Sequence, residues 1–533
     1  MLTESLNIPN DISQLRVMVS DLHNKLADSS EREKQYEIEN NLLREQVRIL
    51  RFRLFGRKSE KYFIEEENGQ GLLFDDVEIK KGSDTRETES EEQIEVKSHS
   101  RKKKGGRKPL PDDLPREEII HDLPEKEKVC GCGCQKVRIG EDTSEQLEME
   151  PPRFFVKRHI RYKYACKNCE GVERREGEQS VSIAPPPVQL IPKSIATASL
   201  LAHIVTSKFS DSIPLYRQER QFKRYGIEIS RGTMCNWLVK VWRRGKPLLE
   251  LLRLELLSGP LIGVDETRHQ VLKEKCRAPS SQSYMWVFRG GNRAGPVYYF
   301  HYNPSHSGEV AAKILKGYKG FVQTDGYGGY DFLERWPGVT HAGCWSHTRR
   351  KFTEVKKAVG KKKTNNKADK ALRLIGKLYQ IEREASELEL PEEQLVVKRQ
   401  AESKPIVEEY EQFIKENVGK VLPKSLLGGA ILYSARQLPR LKVFLDNGMI
   451  PLDTNLVENA IRPFAVGRKN WLFNYHEEGA NASGFFYSLI ETAKANSLEP
   501  YRYLLYMFDR LPYAETTEDY KKLLPQYLAE SQL

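Results

Sequence analysis

No apolar run in the 533 residues reaches the roughly 18 needed to cross a bilayer, which excludes a helical membrane protein. The start, Met1-Leu2-Thr3-Glu4, lacks the basic-then-apolar pattern of a secretory leader, so an intracellular, cytoplasmic setting is expected. Cysteine is scarce. In a reducing compartment the eight present are expected to be metal ligands or buried thiols rather than disulfides. Hydrophobic residues make up 39% and charged residues 30%, a balance that excludes one core over this length and calls for three or more domains with solvated stretches between them. Acid is in deficit. The formal net charge of +11 suits a polyanionic partner, although mildly basic proteins without one are common.

What is present begins with a heptad seam. Ile12, Leu15, Val19, Leu22 and Leu26 are followed by Tyr36, Leu43, Val47, Leu50 and Leu54, and only Ser29, Glu33 and Asn40 interrupt the register. Sustained steps of three and four predict a coiled coil over residues 1–62, and with it a homo-oligomer. Residues 63–110 are polar and charge-rich, a linker that cannot bury enough surface to order itself. It ends in a basic arm, Arg101 to Pro109, in which Lys102, Lys103 and Arg107 could follow phosphates or remain a solvated charge run.

Five cysteines crowd into the next segment, 111–180. Cys166 and Cys169 form a C-x-x-C pair, while Cys130, Cys132 and Cys134 form an irregular knot from which spacing cannot choose two. Four soft ligands from two turns predict a zinc-ribbon-like module around a structural Zn2+. Residues 185–250 then read as a helix-turn-helix. Pro214 opens a helix, Gly226 to Ile229 turn the chain, and Ser230 caps a second helix from Arg231 to Arg244. On that helix Met234, Leu238 and Val241 are the apolar face, and Thr233, Asn236, Lys240 and Arg244 lie nearly opposite, where they could meet base edges or phosphates.

Three carboxylates dominate the second half of the chain. Asp265 is read at the end of the apolar run from Pro260, and Asp325 ends the run from Phe321, just ahead of Gly326-Tyr327-Gly328-Gly329. Glu458 lies in a helical stretch, Asn455 to Arg462, that Pro463 limits or kinks. Two strands, Tyr284–Phe288 and Pro296–His301, a helix over Glu309–Leu315, the Asp325 strand and a strand near Val339 give the order of a ribonuclease-H-like domain over 255–475. Residues 353–450 are helical in pattern and read as an all-helical insertion, and 476–533 as a C-terminal helical region. The fold class is therefore multidomain α/β. Each acid also has a plainer role: Asp325 could open a turn, Glu458 could close a capping box with Asn455, and Glu266 could replace Asp265. His341, Cys344 and His347 suggest a second zinc site, but beside a strand and a helix start they are read as packing and DNA-facing side chains.

In this order the motifs resemble the transposase of the insertion-sequence-66 family, a bacterial DDE transposase, over nearly the whole chain. The resemblance is carried by Arg53-Leu54-Phe55-Gly56-Arg57-Lys58-Ser59-Glu60, Tyr164-Ala165-Cys166-Lys167-Asn168-Cys169, Gly263-Val264-Asp265-Glu266-Thr267 and Gln323-Thr324-Asp325-Gly326-Tyr327. It continues through Gly343-Cys344-Trp345-Ser346-His347 and from Glu458-Asn459-Ala460-Ile461-Arg462 to Gly467-Arg468-Lys469-Asn470-Trp471. The family often has a clean C-x-x-C where this chain has Cys130, Cys132 and Cys134, and a second asparagine is common where Thr454 precedes Asn455.

The resemblance implies that Asp265, Asp325 and Glu458 are the catalytic triad and that the substrate is an element ended by inverted repeats. It also leaves room for small accessory proteins from the same element. The expected activity is cutting at the element ends and joining of the 3′-OH to target DNA, with two Mg2+ (or Mn2+) ions on the triad. Arg462, Arg468 and Lys469 are placed to contact phosphates of double-stranded DNA, and a nucleoid-associated cytoplasmic protein is expected. Two other readings remain: a zinc and helix-turn-helix regulator that binds without cutting, and a structure-specific nuclease that does not join strands.

Overall fold

The computed structural model describes residues 11–55, 153–165, 181–359 and 366–533. The chain forms two compact units, one of residues 60–186 and one of residues 1–59 with 187–533. In the second unit the heptad segment is one helix, α1 (Ile12–Phe55), along which Val19, Leu22, Leu26, Tyr36, Leu43 and Val47 are exposed. The described residues of the first unit, 153–165 and 181–186, include the antiparallel pair β1 (Lys163–Ala165) and β2 (Val181–Ile183). Lys102, Lys103 and Arg107 of the basic arm, and Cys130, Cys132, Cys134, Cys166 and Cys169, lie outside the described residues.

Four helices precede the main sheet: α2 (Ala198–Phe209), α3 (Leu215–Arg224), α4 (Arg231–Arg244) and α5 (Lys246–Leu257). Local chemistry sets their ends. Thr197 accepts the Leu200 N–H, Pro214 precedes α3, and Ser230 accepts the Thr233 N–H, as its capping position predicts. Gly226 takes the left-handed conformation (φ +73°) that turns the chain between α3 and α4. Buried side chains of all four helices join one continuous core with the sheet.

That sheet holds β3 (Leu261–Lys273), β4 (Gln282–Asn292), β5 (Gly295–Asn303), β6 (Gly320–Gln323) and β7 (Val339–Ala342) in the order β5-β4-β3-β6-β7. The first three run antiparallel, whereas β6 and β7 run parallel to β3. Helix α6 (Glu309–Ile314) precedes β6, and a 3-10 turn (Gly328–Arg335) separates β6 from β7. Asp265 is not at a strand end. It is the fifth residue of a long strand, because the polar residues after it alternate, with His269 and Val271 buried and Arg268 and Gln270 exposed.

Beyond β7 come α7 (Trp345–Val359), α8 (Asn366–Glu387), α9 (Glu392–Lys398), α10 (Lys404–Asn417) and α11 (Leu426–Leu441). Trp345, Phe352, Ile375, Tyr410 and Ile431 from these helices belong to a second core of their own. The chain returns in α12 (Asn455–Trp471), which continues through Pro463 rather than ending there. A short strand, β8 (Asn474–His476), pairs with the far end of β3.

Three helices close the chain: α13 (Glu477–Ala495), α14 (Pro500–Arg510) and α15 (Thr517–Lys521). Helix α13 protects the edge strand β5. Ser488 Oγ accepts the Phe300 N–H (2.8 Å), Thr492 Oγ1 accepts the Tyr298 N–H (3.0 Å), and Asn496 donates to the Pro296 carbonyl (2.9 Å). Spaced four apart on one helix face, these side chains satisfy backbone groups that an open edge would leave unpaired.

Candidate active site

Parallel pairing between β3 and β6 ends at Gly263 opposite Gln323, and β8 joins β3 only from Val271. In the interval between them β3 carries Asp265, and the chain leaving β6 carries Asp325. Gln323 then ties three segments together. Its side-chain amide donates to the Gly343 carbonyl (3.1 Å), just past β7, and to the Pro451 carbonyl (2.7 Å), on the approach to α12. The Trp345 N–H donates to the Leu452 carbonyl (3.1 Å) in the same bracket. Helix α12 is thereby delivered to the sheet. It sits close because Gly263 has no side chain: a Cβ there would lie 2.6 Å from Val457 Cγ2, the residue before Glu458.

The acids from three elements share one electrostatic neighbourhood. Withdrawal from water, then the charges of Glu266, Asp325 and Glu458, push the Asp265 carboxyl up to about 7 against a hydrogen bond from the Glu266 N–H (2.8 Å). Asp325 Oδ1 accepts the Tyr327 N–H (2.9 Å), so the turn role suggested for it is realised along with its place in the cluster. Glu266 is engaged elsewhere. It meets His306 Nε2 (2.7 Å) and the Tyr330 hydroxyl, and His306 is stacked between the rings of Tyr284 and Tyr327 at 4.1 and 4.2 Å.

Glu458 does not close a capping box. Thr454 is the N-cap of α12 and makes no side-chain cap bond, while the Glu458 carboxylate faces α7. There Arg350 Nη2 lies 3.2 Å from Oε2, and His347 Nδ1 lies 3.7 Å from Oε1. Cys344 completes this side. Burial opposes its thiolate, but His347, Ser346 and Thr454 outweigh burial and bring the thiol below its usual value. Burial likewise opposes the His347 cation, yet the sulfur beside it raises the imidazole. His341, grouped with these two on sequence, faces away: its Nε2 pairs with Thr324 Oγ1 at 2.8 Å.

Other sequence-nominated residues are spread more widely. Thr233, Asn236, Lys240 and Arg244 are exposed on α4, opposite buried Met234, Trp237, Leu238 and Val241, and Arg244 also donates to the Pro512 carbonyl (3.2 Å). On α12, Arg462 and Lys469 are exposed, and half-buried Arg468 donates to Thr267 Oγ1 (3.2 Å). Sequence reading missed Gln323, Gly263 and Arg350. Gly263 and Gln323 stand in the quoted motifs without a role of their own, and Arg350 stands in the Arg349-Arg350-Lys351 run that follows His347.

Half-buried carboxylates gathered in this way fit divalent cations, because cation charge offsets both the desolvation and the repulsion that raise Asp265. Asp265 and Asp325 offer only oxygen, the donor set of a hard ion such as Mg2+.

Comparison with known proteins agrees across the chain. The model described as "Transposase IS66 family" matches residues 193–482, and "IS66 C-terminal element" matches 488–526. "Transposase C of IS166 homeodomain" matches 42–119, and "zinc-finger binding domain of transposase IS66" matches 127–170. The last span contains Cys130, Cys132, Cys134, Cys166 and Cys169 and supports a structural zinc there. The uncharacterized protein y4jD of Sinorhizobium fredii (strain NBRC 101917 / NGR234) is 33% identical over 428 residues, 78% of this chain and 81% of the relative. From the same strain, the uncharacterized protein y4qI is 31% identical over 431 residues, 76% and 75% of the two chains. The uncharacterized protein y4hP is 30% identical over 444 residues, 81% and 78%.

Proposed function

The chain belongs to the transposase IS66 family, and from that premise we propose that it cuts DNA at the ends of an insertion sequence and joins the freed ends to target DNA. The observation that carries this reading is the coupling of Asp265, Asp325 and Glu458, three acids from β3, the exit of β6 and α12. The strand order β5-β4-β3-β6-β7 supports the reading of a ribonuclease-H-like domain, in which α7 to α11 would be the insertion before the last catalytic element.

Asp265, Asp325 and Glu458 would hold two Mg2+ (or Mn2+) ions. Bound there, these ions would supply an attacking water of lowered pKa and neutralise charge on the leaving 3′ oxygen. The reaction itself is two displacements at phosphorus. A water oxygen replaces the 3′ oxygen at the element end, giving a 3′-OH and a 5′-phosphate. That 3′-OH then replaces a 3′ oxygen in target DNA, so no covalent enzyme adduct is needed.

The chain's own residues orient the parts. The Tyr327 N–H fixes the Asp325 carboxylate, and Arg350 turns Glu458. Arg462, Arg468 and Lys469 on the same helix as Glu458 hold phosphates of the cleaved end. Thr233, Asn236, Lys240 and Arg244 on α4, with Lys102, Lys103 and Arg107 of the basic arm, bind the terminal sequence. The exposed seam of α1 pairs two or more copies of the chain, as two element ends require.

The test is incubation of the full chain with Mg2+ and labelled duplex carrying the element's own terminal repeat, scoring cleavage and joining together. Asp265→Asn, Asp325→Asn and Glu458→Gln are each expected to abolish cleavage while end binding in a gel-shift assay is kept. Full cleavage by one variant would remove that residue from the triad. Binding without nicking by the wild type would leave a regulator. Preference for junctions over the terminal repeat, without joining, would leave a nuclease.

A further inference from the structure

We propose that Cys344, His347 and Glu458 form a second, softer metal site that takes zinc, and that zinc bound there withholds Glu458 from Asp265 and Asp325. The binding half stands on geometry alone; the withholding half rests on the function proposed above.

Cys344 Sγ, one ring nitrogen of His347 and one carboxylate oxygen of Glu458 all lie within 4.8 Å of one another. Around a tetrahedral zinc, with bonds of about 2.0–2.3 Å, ligand atoms stand roughly 3.3–3.6 Å apart. His347 Nδ1 and Glu458 Oε1, at 3.7 Å, are already near that spacing. The same two atoms are buried and make no hydrogen bond. Neither atom is bound by a group outside the set, which leaves both to a ligand seated among the sulfur, the imidazole and the carboxylate. Arg350 occupies Oε2 and leaves Oε1 to face the sulfur and the imidazole.

The sulfur is supported from outside the set. The Thr454 N–H donates to Cys344 Sγ at 3.3 Å, Thr454 Oγ1 donates at 3.2 Å, and Ser346 Oγ lies 3.1 Å away. Outer hydrogen bonds of this kind orient a thiolate ligand and tune its affinity. Thr454 also caps α12, so the sulfur is fastened to the helix that carries Glu458. Cys344 stands just before α7 and His347 in its first turn, which gives both ligands a rigid base.

Donor chemistry separates the two sites. Thiolate, imidazole and a single carboxylate select zinc and related ions over Mg2+, and three protein ligands leave a fourth position open. Asp265 and Asp325 offer oxygen only. Glu458 is the one side chain common to both sets, so the sites compete for it.

The test uses the full chain with its zinc-finger segment preloaded with zinc, freed of excess metal and kept in a non-thiol reductant. Co2+ is then titrated in. One further equivalent with a thiolate-to-cobalt charge-transfer band is expected in the wild type. Cys344→Ser should lose both, His347→Gln should weaken binding by about tenfold or more, and Cys276→Ser should change nothing. Equal uptake and equal spectra for the wild type and Cys344→Ser would overturn the site.

Zinc is next added to Mg2+-dependent end cleavage, each variant being compared with its own zinc-free rate. Inhibition at least about tenfold weaker in Cys344→Ser than in wild type supports withholding of Glu458. Equal inhibition of the two overturns it. A cobalt site in a chain that never cleaves would leave the metal site standing and remove the transposase reading. Cleavage without the cobalt band would do the reverse.

Discussion

On the sheet side of the acid cluster, Asp265 and Asp325 accept the backbone N–H groups of Glu266 and Tyr327, and the charges acting on Asp265 are the carboxylates of Glu266, Asp325 and Glu458. On the helix side, Glu458 is met by a guanidinium, an imidazole and a thiol from the start of α7. The first side offers oxygen donors from the sheet, and carboxylate charges surround Asp265. The second is softer and already partly compensated. In the function proposed above, the first two carboxylates would hold cations and the third would be shared between them and the thiol side. The difference arises because β3 and the exit of β6 belong to the sheet, whereas Glu458 is brought in by a helix that answers to both the sheet and α7.

The largest break in that arrangement is expected from Gly263→Val. The new side chain would meet Val457 and lift α12 from β3, lowering end cleavage by about a hundredfold and stability by about 1–3 kcal/mol. Urea unfolding and cleavage measured together would check it. Unchanged cleavage would show that the helix side does not depend on contact with the sheet.

Acid should find the sheet before the helical core. His269 on β3 and His341 on β7 are buried, and withdrawal from water lowers their pKa values to about 4 and about 3. Unfolded histidine titrates near 6.5, so between pH 6.5 and about 4 the unfolded chain binds protons that the folded chain refuses. The stability contributed by these residues is complete above pH 6.5 and falls as the pH drops, by up to about 1.4 kcal/mol per unit for each. Because the raised Asp265 carboxyl gains stability over the same window, urea midpoints at pH 7.5 and pH 5 should be compared in an Asp265→Asn background, where they should show the loss and His341→Gln should reduce it. A midpoint that rises on acidification would contradict this account.

Arg350→Ala should lower cleavage by roughly tenfold while changing stability little, since the pair is half exposed. Arg350→Lys should restore part of the rate. A loss in folding rather than in rate would make Arg350 structural. The smallest effect is expected from Asp265→Asn in metal-free protein. Removing one repelling carboxylate should raise the melting temperature by about 2 °C, and a fall would mean that the sheet-side acids are not strained in the absence of cation.

Local pattern was readable wherever local chemistry decides. Ser230 announced the start of α4, the seam residues announced α1, and the two apolar stretches Tyr284–Phe288 and Pro296–His301 announced β4 and β5. The length of β3 was not readable, since its polar half is stabilised by pairing with β4 rather than by any apolar run of its own. For the same reason His341 was grouped with Cys344 and His347. Their spacing is close, but one sits on a strand and the others at a helix start, facing different neighbours.

Residue types and their order were settled by the chain alone: three acids in separate segments, a helix start at Cys344 and His347 after the second, and caps such as Ser230 that start helices. These are one-dimensional facts, set by spacing and by side chains acting on their own backbone. Three-dimensional packing had to settle that Gln323 brackets β7 and the approach to α12, that Gly263 admits Val457, and that Glu458 stands between the carboxylates and the thiol. Each of these joins residues 20 to more than 190 positions apart. Such contacts depend on how the sheet and the helices fill space together, and no local pattern encodes that.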